Sequence, residues 1–422
     1  MEQYKKSVRS YIQAHQLQGV RLLKRLVQEK SVSGNESSAQ AIVIEKLREL
    51  GLQLDIWEPS FRELERHPYF VSPRSSFLDS PNVVAVLKGS GGGRSIILNG
   101  HIDVVPEGDE QQWKYHPYKG DVEGNRLYGR GATDMKGGST SLIMALEAII
   151  ACGIRLKGDI CFQSVIEEES GGAGSLAAII RGYKADGVLI PEPTNMKIFP
   201  KQQGSLWFRL TVKGQSAHGG TRYEGVSAIE KSIIVIEHVR RLENIRNERI
   251  QEPLYQSIPI PVPINIGRMK GGNWPSSVPD LLVLEGRYGV APDEKLAEAT
   301  QEFENWFRKL CEADAWFLEH PVEIEWFGAR WVPGSLAEEH PLAQTLKQNF
   351  TLVRGEEPII EASPWGTDGG LFTNVANIPT LVFGPGETKA AHQHDEYIEI
   401  DKMVEAAEMI ACMLLDWCGV EE

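Results

Sequence analysis

GDICFQSVIEEESGGAGSLAAII, residues 158–180, decides the fold. The run ICFQSVI is apolar at most positions, as in a strand buried on both faces. Three carboxylates, Glu167, Glu168 and Glu169, end it; a glycine-rich turn follows, and SLAAII resumes as a helix. The same alternation surrounds this stretch. NVVAVLKG (82–89) and SIILNGHIDVV (95–105) read as strands, STSLIMALEAII (139–150) as a helix and GVLIPEPT (187–194) as a further strand. This rhythm predicts an α/β fold, a mostly parallel sheet with helices on both faces. Ligands collect at the carboxyl ends of such strands. Three like charges at one such end cost free energy unless opposite charge gathers there too.

Composition narrows the function. The chain has 422 residues, with 41% hydrophobic and 24% charged residues, an ordinary globular balance. Its formal net charge is −14, from 58 acidic and 44 basic residues, so its far field repels nucleic-acid backbones and anionic lipid surfaces. The N-terminal segment through Val32 reads as one amphipathic helix, without the apolar core of a signal peptide, and no run downstream reads as a membrane span. A cytoplasmic protein is expected. The cysteines, Cys152, Cys161, Cys311, Cys412 and Cys418, are scattered and form no CxxC pair, so a thiolate zinc site is not indicated.

After residue 204 the pattern changes. SLWFRLTVKG alternates apolar with polar; a long amphipathic helix (225–245), strands at 261–269 and 280–290, a helix at 293–313 and PVEIEWFG (321–328) follow. The order βαββαβ predicts a ferredoxin-like α+β insertion. PLAQTLKQNF and IPTLVFGPG then return to the first style. The expected division is a discontinuous catalytic domain, 1–204 and 329–422, around a small domain at 205–328.

Other strand ends carry potential ligands: His101 and Asp103 in GHIDVVPEGD, Asp134 in GRGATDMKGG, Glu192 in PEPT, and His392 and His394 in AAHQHDEY. With the glutamates they form an imidazole and carboxylate set without thiolate, suited to one or two divalent ions such as zinc, cobalt or manganese. Each residue alone has a plainer reading. A triple glutamate is usually solvated, His101 could be a satisfied buried histidine, Asp134 a turn residue before a helix, and Glu192 a loop residue between prolines. Asp103, two residues beyond His101, would face the same way on a strand and accept the imidazole N–H. The glycine runs fit no phosphate-binding fingerprint.

PNVVAVLKG, LNGHIDVVPEGD, GRGATDMKGG, EEESGGAGS, PEPT, VKGQSAHGG and HQHDEYIEI together resemble the M20 metallopeptidases, in the right order over most of the chain. That group includes acetylornithine deacetylase, succinyl-diaminopimelate desuccinylase, aminoacylase and carboxypeptidase G. The resemblance implies a zinc-exopeptidase-like fold and two zinc ions, with cobalt or manganese as substitutes. His101, Asp134 and Glu192 would hold one ion; Asp134, Glu169 and His392 the other, with His394 an alternative to His392. Glu168 would be the general base. It also implies a homodimer through residues 205–328, with His218 reaching the partner's site to stabilise an oxyanion, and Arg287 binding a substrate carboxylate. The segment GGNWPSSVPD departs from the group's pattern, with Ser277 where asparagine is common and Asn273 earlier.

The expected function is removal of a small acyl group from an N-acylated amino acid or related amine, acetylornithine deacetylase-like by default. Deformylation of a formylaminopyrimidine, desuccinylation and dipeptide cleavage are alternatives within the group. A catalytically silent metal-binding dimer is the alternative of another class.

Overall fold

The computed structural model describes residues 1–421. The chain forms two compact units: Met1–Lys201 with Gly334–Ser363 and the chain from Thr367 onward, and Gln202–Pro333 with Pro364–Gly366. The second junction falls later than the sequence pattern places it. The last strand of the insertion runs Glu323–Trp331, and after a register shift it still pairs Arg330 with Leu206 and Trp331 with Ser205. The short return at Pro364–Gly366 carries no hydrophobic period that could have marked it.

In the first unit a mixed sheet organises everything else. Across it lie Gln53–Trp57, Asn82–Leu87, Ile160–Val165, Ile96–His101, Val188–Ile190, Thr380–Val382, Ile198–Gln202 and Gly334–Ser335, with Ile360–Ser363 also paired to Ile198–Gln202. Ile160–Val165, Ile96–His101, Val188–Ile190 and Thr380–Val382 form a parallel centre. These strands are buried along their length, which explains their unbroken apolar runs. Antiparallel pairs flank that centre, Gln53–Trp57 with Asn82–Leu87 and the latter with Ile160–Val165.

Helix Gly137–Ala151 is buried on nearly every side, between strand Ile96–His101 and helix Ile400–Cys418. That is why its sequence is hydrophobic all round rather than striped. The N-terminal segment is two helices, Glu2–Ala14 and Gln16–Gln28, not one. The break is at His15 (φ −111°, ψ 11°), whose ring folds back onto Tyr11 with centroids 3.8 Å apart. Among the described residues no helix is long and apolar enough to cross a membrane.

The second unit is a four-stranded antiparallel sheet in the order Ile264–Gly271, Leu281–Val290, Gly204–Lys213, Glu323–Trp331. Helices Ala228–Arg249 and Leu296–Ala313 supply Val235, Val239, Leu242, Phe303, Phe307 and Leu310 to a core shared with Phe208, Leu210, Leu284 and Tyr288. Phe303 lies at its aromatic centre, with ring centroids 4.9 Å from Tyr288 and Phe307 and 5.0 Å from Phe208.

Candidate active site and metal centre

Parallel pairing sets the site's first two pieces side by side. His101, the last residue of its strand, is registered against Val165. The chain therefore leaves both strands at one end of the sheet, His101 on one and the three glutamates directly after the other.

The strand stops at His101, so Asp103 is not on the same strand face as that histidine. His101 Nδ1 is 2.8 Å from the main-chain oxygen of Asp103 and 3.7 Å from its carboxylate. The partner of the imidazole is thus the Asp103 carbonyl and not the side chain expected to face it. With Nδ1 as donor, Nε2 presents its lone pair to the cluster. The freed Asp103 carboxylate accepts the amide N–H groups of Glu168 (3.2 Å) and Glu169 (3.1 Å). One buried aspartate thereby fixes the backbone carrying both glutamates to the turn carrying the histidine.

Asp134 lies in the turn before helix Gly137–Ala151. One oxygen, Oδ1, is 3.3 Å from His101 Nε2, and the other, Oδ2, is 3.2 Å from His392 Nε2. His392 Nε2 is also 3.2 Å from Glu169 Oε1. On the other side, His101 Nε2 is 3.8 Å from Glu192 Oε1 and 4.0 Å from Glu168 Oε2. His101, Asp134 and Glu169 form one group of donor atoms within 4.8 Å of one another; His101, Glu168 and Glu192 form a second. His394 is directed elsewhere, edge-on to Trp113 with ring centroids 5.9 Å apart.

This much buried acid changes every proton affinity. Burial pushes the Glu168 and Glu192 carboxyls well up, and neighbouring carboxylates add to the effect. Burial opposes the charged form of His101, yet Asp134, Glu192, Asp103 and Glu168 outweigh it and raise that imidazole well above its ordinary value. Glu169, with Asp134, lifts His392 to about 12. Burial would raise Asp134 too, but hydrogen bonds and charge from His101 and His392 hold it far below the carboxylate range. The donor set therefore favours positive charge at its centre. Imidazole nitrogens and carboxylate oxygens, without thiolate, fit divalent ions of the zinc, cobalt or manganese kind.

Several supporting residues were not recognisable in the sequence. Glu396, fully buried, accepts the amide N–H of Thr133 (2.9 Å) and of Asp134 (3.1 Å) and pairs with Arg130 at 2.5 Å. It ties the terminal loop bearing His392 to the turn bearing Asp134. Lys136 is buried and donates to the carbonyls of Leu26 (2.8 Å) and Glu29 (2.9 Å), fastening the same turn to the second helix. Asp368, before two glycines, is a further buried carboxylate, pushed up to about 6 by burial, and its charge adds to the shifts of Glu168 and Glu192.

Of the remaining expected residues, His218, Arg287, Asn273 and Ser277 belong to the second unit. His218 is exposed, and its Nδ1 accepts the Gly220 N–H at 3.1 Å, which leaves Nε2 as the N–H donor. Ser277 pairs with His218 across a short two-stranded ladder. Arg287 is half-buried, with Nη2 3.2 Å from Gln203 Oε1, and desolvation pulls its pKa down to about 10.

A largely buried set of imidazole and carboxylate donors at the strand ends of an α/β sheet has the character of a metal-dependent hydrolase site. The chain belongs to the peptidase family M20/M25/M40, whose model matches residues 97–416, and members of this family work with two metal ions. Two relatives carry the name N-formyl-4-amino-5-aminomethyl-2-methylpyrimidine deformylase. The one from Halalkalibacterium halodurans is 32% identical, covering 92% of this chain and 91% of its own length. The one from Bacillus subtilis is 30% identical and covers 99% of both. Among solved structures, the di-peptidase Dug1p of Saccharomyces cerevisiae superposes with a TM-score of 0.78 at 17% identity over 100% of both chains, a likeness of fold.

Proposed function

We propose that this enzyme removes the formyl group from an N-formylated aminomethylpyrimidine or a close analogue, releasing formate and the free amine. The observation that carries the hydrolytic reading is Asp134, with one carboxylate oxygen facing each of two imidazoles and Glu168 buried alongside. The substrate class is supported by the two deformylases, which match the chain almost end to end. In this reading His101, Asp134 and Glu192 hold one ion and Asp134, Glu169 and His392 the other, zinc being our assignment.

When bound, the two ions supply Lewis acidity and make water a better nucleophile near neutral pH. The protein does the rest. Glu168 takes the proton of the attacking water and returns it to the amine nitrogen as the C–N bond breaks. Asp103 holds the Glu168 and Glu169 amides, so the base does not drift as it changes charge. His218, with Nε2 as donor, is proposed to stabilise the oxyanion from a second copy of the chain in a homodimer.

One observation favours a second reading, deacylation of an N-acyl amino acid such as acetylornithine. Arg287 keeps a half-buried guanidinium whose hydrogen-bond partner is the neutral Gln203, an arrangement that suits a substrate carboxylate. Purified, zinc-loaded enzyme assayed against N-formylaminomethylpyrimidine, N-acetylornithine and succinyl-diaminopimelate separates the two. The formyl substrate is expected to give the highest kcat/KM by at least about tenfold, equivalent to about 1.4 kcal/mol. A preference for either carboxylate-bearing amide would overturn the formyl assignment.

A further inference from the structure

The first of the three glutamates takes no part in the cluster. Glu167 points away from it, fully buried, at a residue whose φ of +62° is left-handed. A side chain there is costly unless its surroundings fix it. They do. Its carboxylate accepts the hydroxyl of Ser33, the hydroxyl of Ser72 at 2.9 Å and the guanidinium of Arg74 at 3.3 Å. The same Arg74 nitrogen, Nη1, also donates to the second buried carboxylate, Glu36, at 3.2 Å, while Nη2 donates to Ser80 Oγ at 2.8 Å, and Ser80 in turn donates to Glu36 at 2.6 Å.

Ser72 and Arg74 lie in the connection 58–81 between two outer strands, which contains one short helix, Phe61–Leu64. A connection this long in a compact unit commonly serves function. Simple anchoring is already provided by aromatic packing of Phe61, Phe70 and Phe77, with centroids 5.3 to 6.4 Å apart. The buried charge network adds a directional restraint to that anchor, applied one residue before Glu168. Downstream, Gly172 N–H donates to the Glu167 carbonyl at 2.7 Å and Gly171 N–H to the Glu168 carbonyl at 3.0 Å. The left-handed turn at Glu167 therefore sets where the Glu168 side chain leaves the backbone.

We propose that Glu167, clamped by Arg74 and Ser72 of the 58–81 connection, is a positioning residue that aims the Glu168 carboxylate. This rests on the reading of Glu168 as the general base. The clamp couples an outer connection of the fold to the proton-transfer step, without touching substrate or metal.

The test uses full-length, zinc-loaded protein with Arg74→Ala, Arg74→Lys, Ser72→Ala, Glu167→Gln and Glu168→Gln. It follows turnover of N-formyl-4-amino-5-aminomethyl-2-methylpyrimidine, zinc content, melting temperature and amide exchange at Gly171 and Gly172. Arg74→Ala is expected to lower kcat by about 10- to 100-fold, with KM and zinc content unchanged, and to speed exchange of both amides. Glu167→Gln and Ser72→Ala, which keep part of the clamp and the fold, should lower kcat less, and Arg74→Lys should restore only part because a single ammonium lacks the second guanidinium nitrogen that reaches Ser80. Unchanged kcat in folded, zinc-loaded Arg74→Ala and Ser72→Ala would overturn the proposal, as would kcat loss that merely tracks zinc loss. Should Glu168→Gln retain turnover, the base reading falls and this proposal with it; an inactive Glu168→Gln beside fully active clamp variants sinks the clamp alone.

Discussion

Both units bury large side chains, and they bury opposite chemistry. The carboxyl end of the first unit's parallel strands hides Asp103, Glu168, Glu192, Asp368 and Glu396. The helix-covered face of the second unit's sheet hides Phe208, Tyr288, Phe303, Phe307 and Phe317. Aromatic burial stabilises a fold directly, by about 1.5–3 kcal/mol for a large side chain. Burial of mutually repelling carboxylates does the reverse unless cations or donors compensate. The acidic end is therefore kept for chemistry and the aromatic face for stability, and substitutions in the two places should fail in different ways.

The sharpest contrast is between loss of turnover and loss of stability. Glu168→Ala should reduce kcat by about 10²- to 10⁴-fold while metal content and melting temperature stay near those of the parent. Steady-state kinetics with metal analysis checks this, and a normal rate removes the proposed base. Phe303→Ala, by contrast, should destabilise the protein by about 3–5 kcal/mol, read by denaturant unfolding, because the cavity lies at the aromatic centre of the core. A loss below about 1 kcal/mol would mean that the second unit is not held by this face.

The cost of the acidic end should itself be measurable in chelator-treated protein. Glu168 and Glu192 are raised from 4.5, His101 and His392 from 6.5, the last to about 12. Raised groups bind more protons folded than unfolded, so their stabilisation is full below the ordinary values and is lost as pH rises beyond them. Asp134 has the opposite sign, but its contribution is complete above its ordinary value of 3.8 and adds no slope here. The melting temperature of metal-free protein should fall between about pH 5 and pH 9, and divalent metal should flatten that fall. A flat metal-free profile would mean that the carboxylates are compensated by other means.

A smaller effect belongs to the second unit. Asp314 caps the helix Ala315–Glu319, accepting from Trp316 N–H at 2.9 Å and Phe317 N–H at 3.1 Å, and pairs with Lys231 at 2.9 Å. Asp314→Ala should cost about 1–2 kcal/mol in unfolding without altering kcat. A fall in kcat would break the separation of roles between the two regions.

What could be read in advance follows the same division. Strand Ile160–Val165, its glutamates and the neighbouring His101 were legible because buried parallel strands have an unmistakable apolar pattern and ligands stand at their ends. Alternation in SLWFRLTVKG likewise marked the half-buried sheet of the second unit. Residues that act by accepting main-chain amides left little trace. Asp103 accepts the backbone N–H groups of Glu168 and Glu169, and Glu396 those of Thr133 and Asp134 beside its pairing with Arg130; backbone partners have no sequence signature. The exit of the chain at His101, which turned the Asp103 carbonyl rather than its carboxylate to the imidazole, depends on where a strand stops, and strand ends are poorly marked. Arg74 and Glu36 were missed for a related reason: Arg74 lies in a connection that has no period of its own, and its partners Glu36 and Glu167 stand in other segments of the chain.

The account stands on one carboxylate serving two cations, and anomalous diffraction from zinc-loaded crystals tests that most directly. Two peaks are expected, one within bonding distance of His101, Asp134 and Glu192, the other of Asp134, Glu169 and His392, with Asp134 common to both. A single peak, or a pair that does not share Asp134, would contradict it.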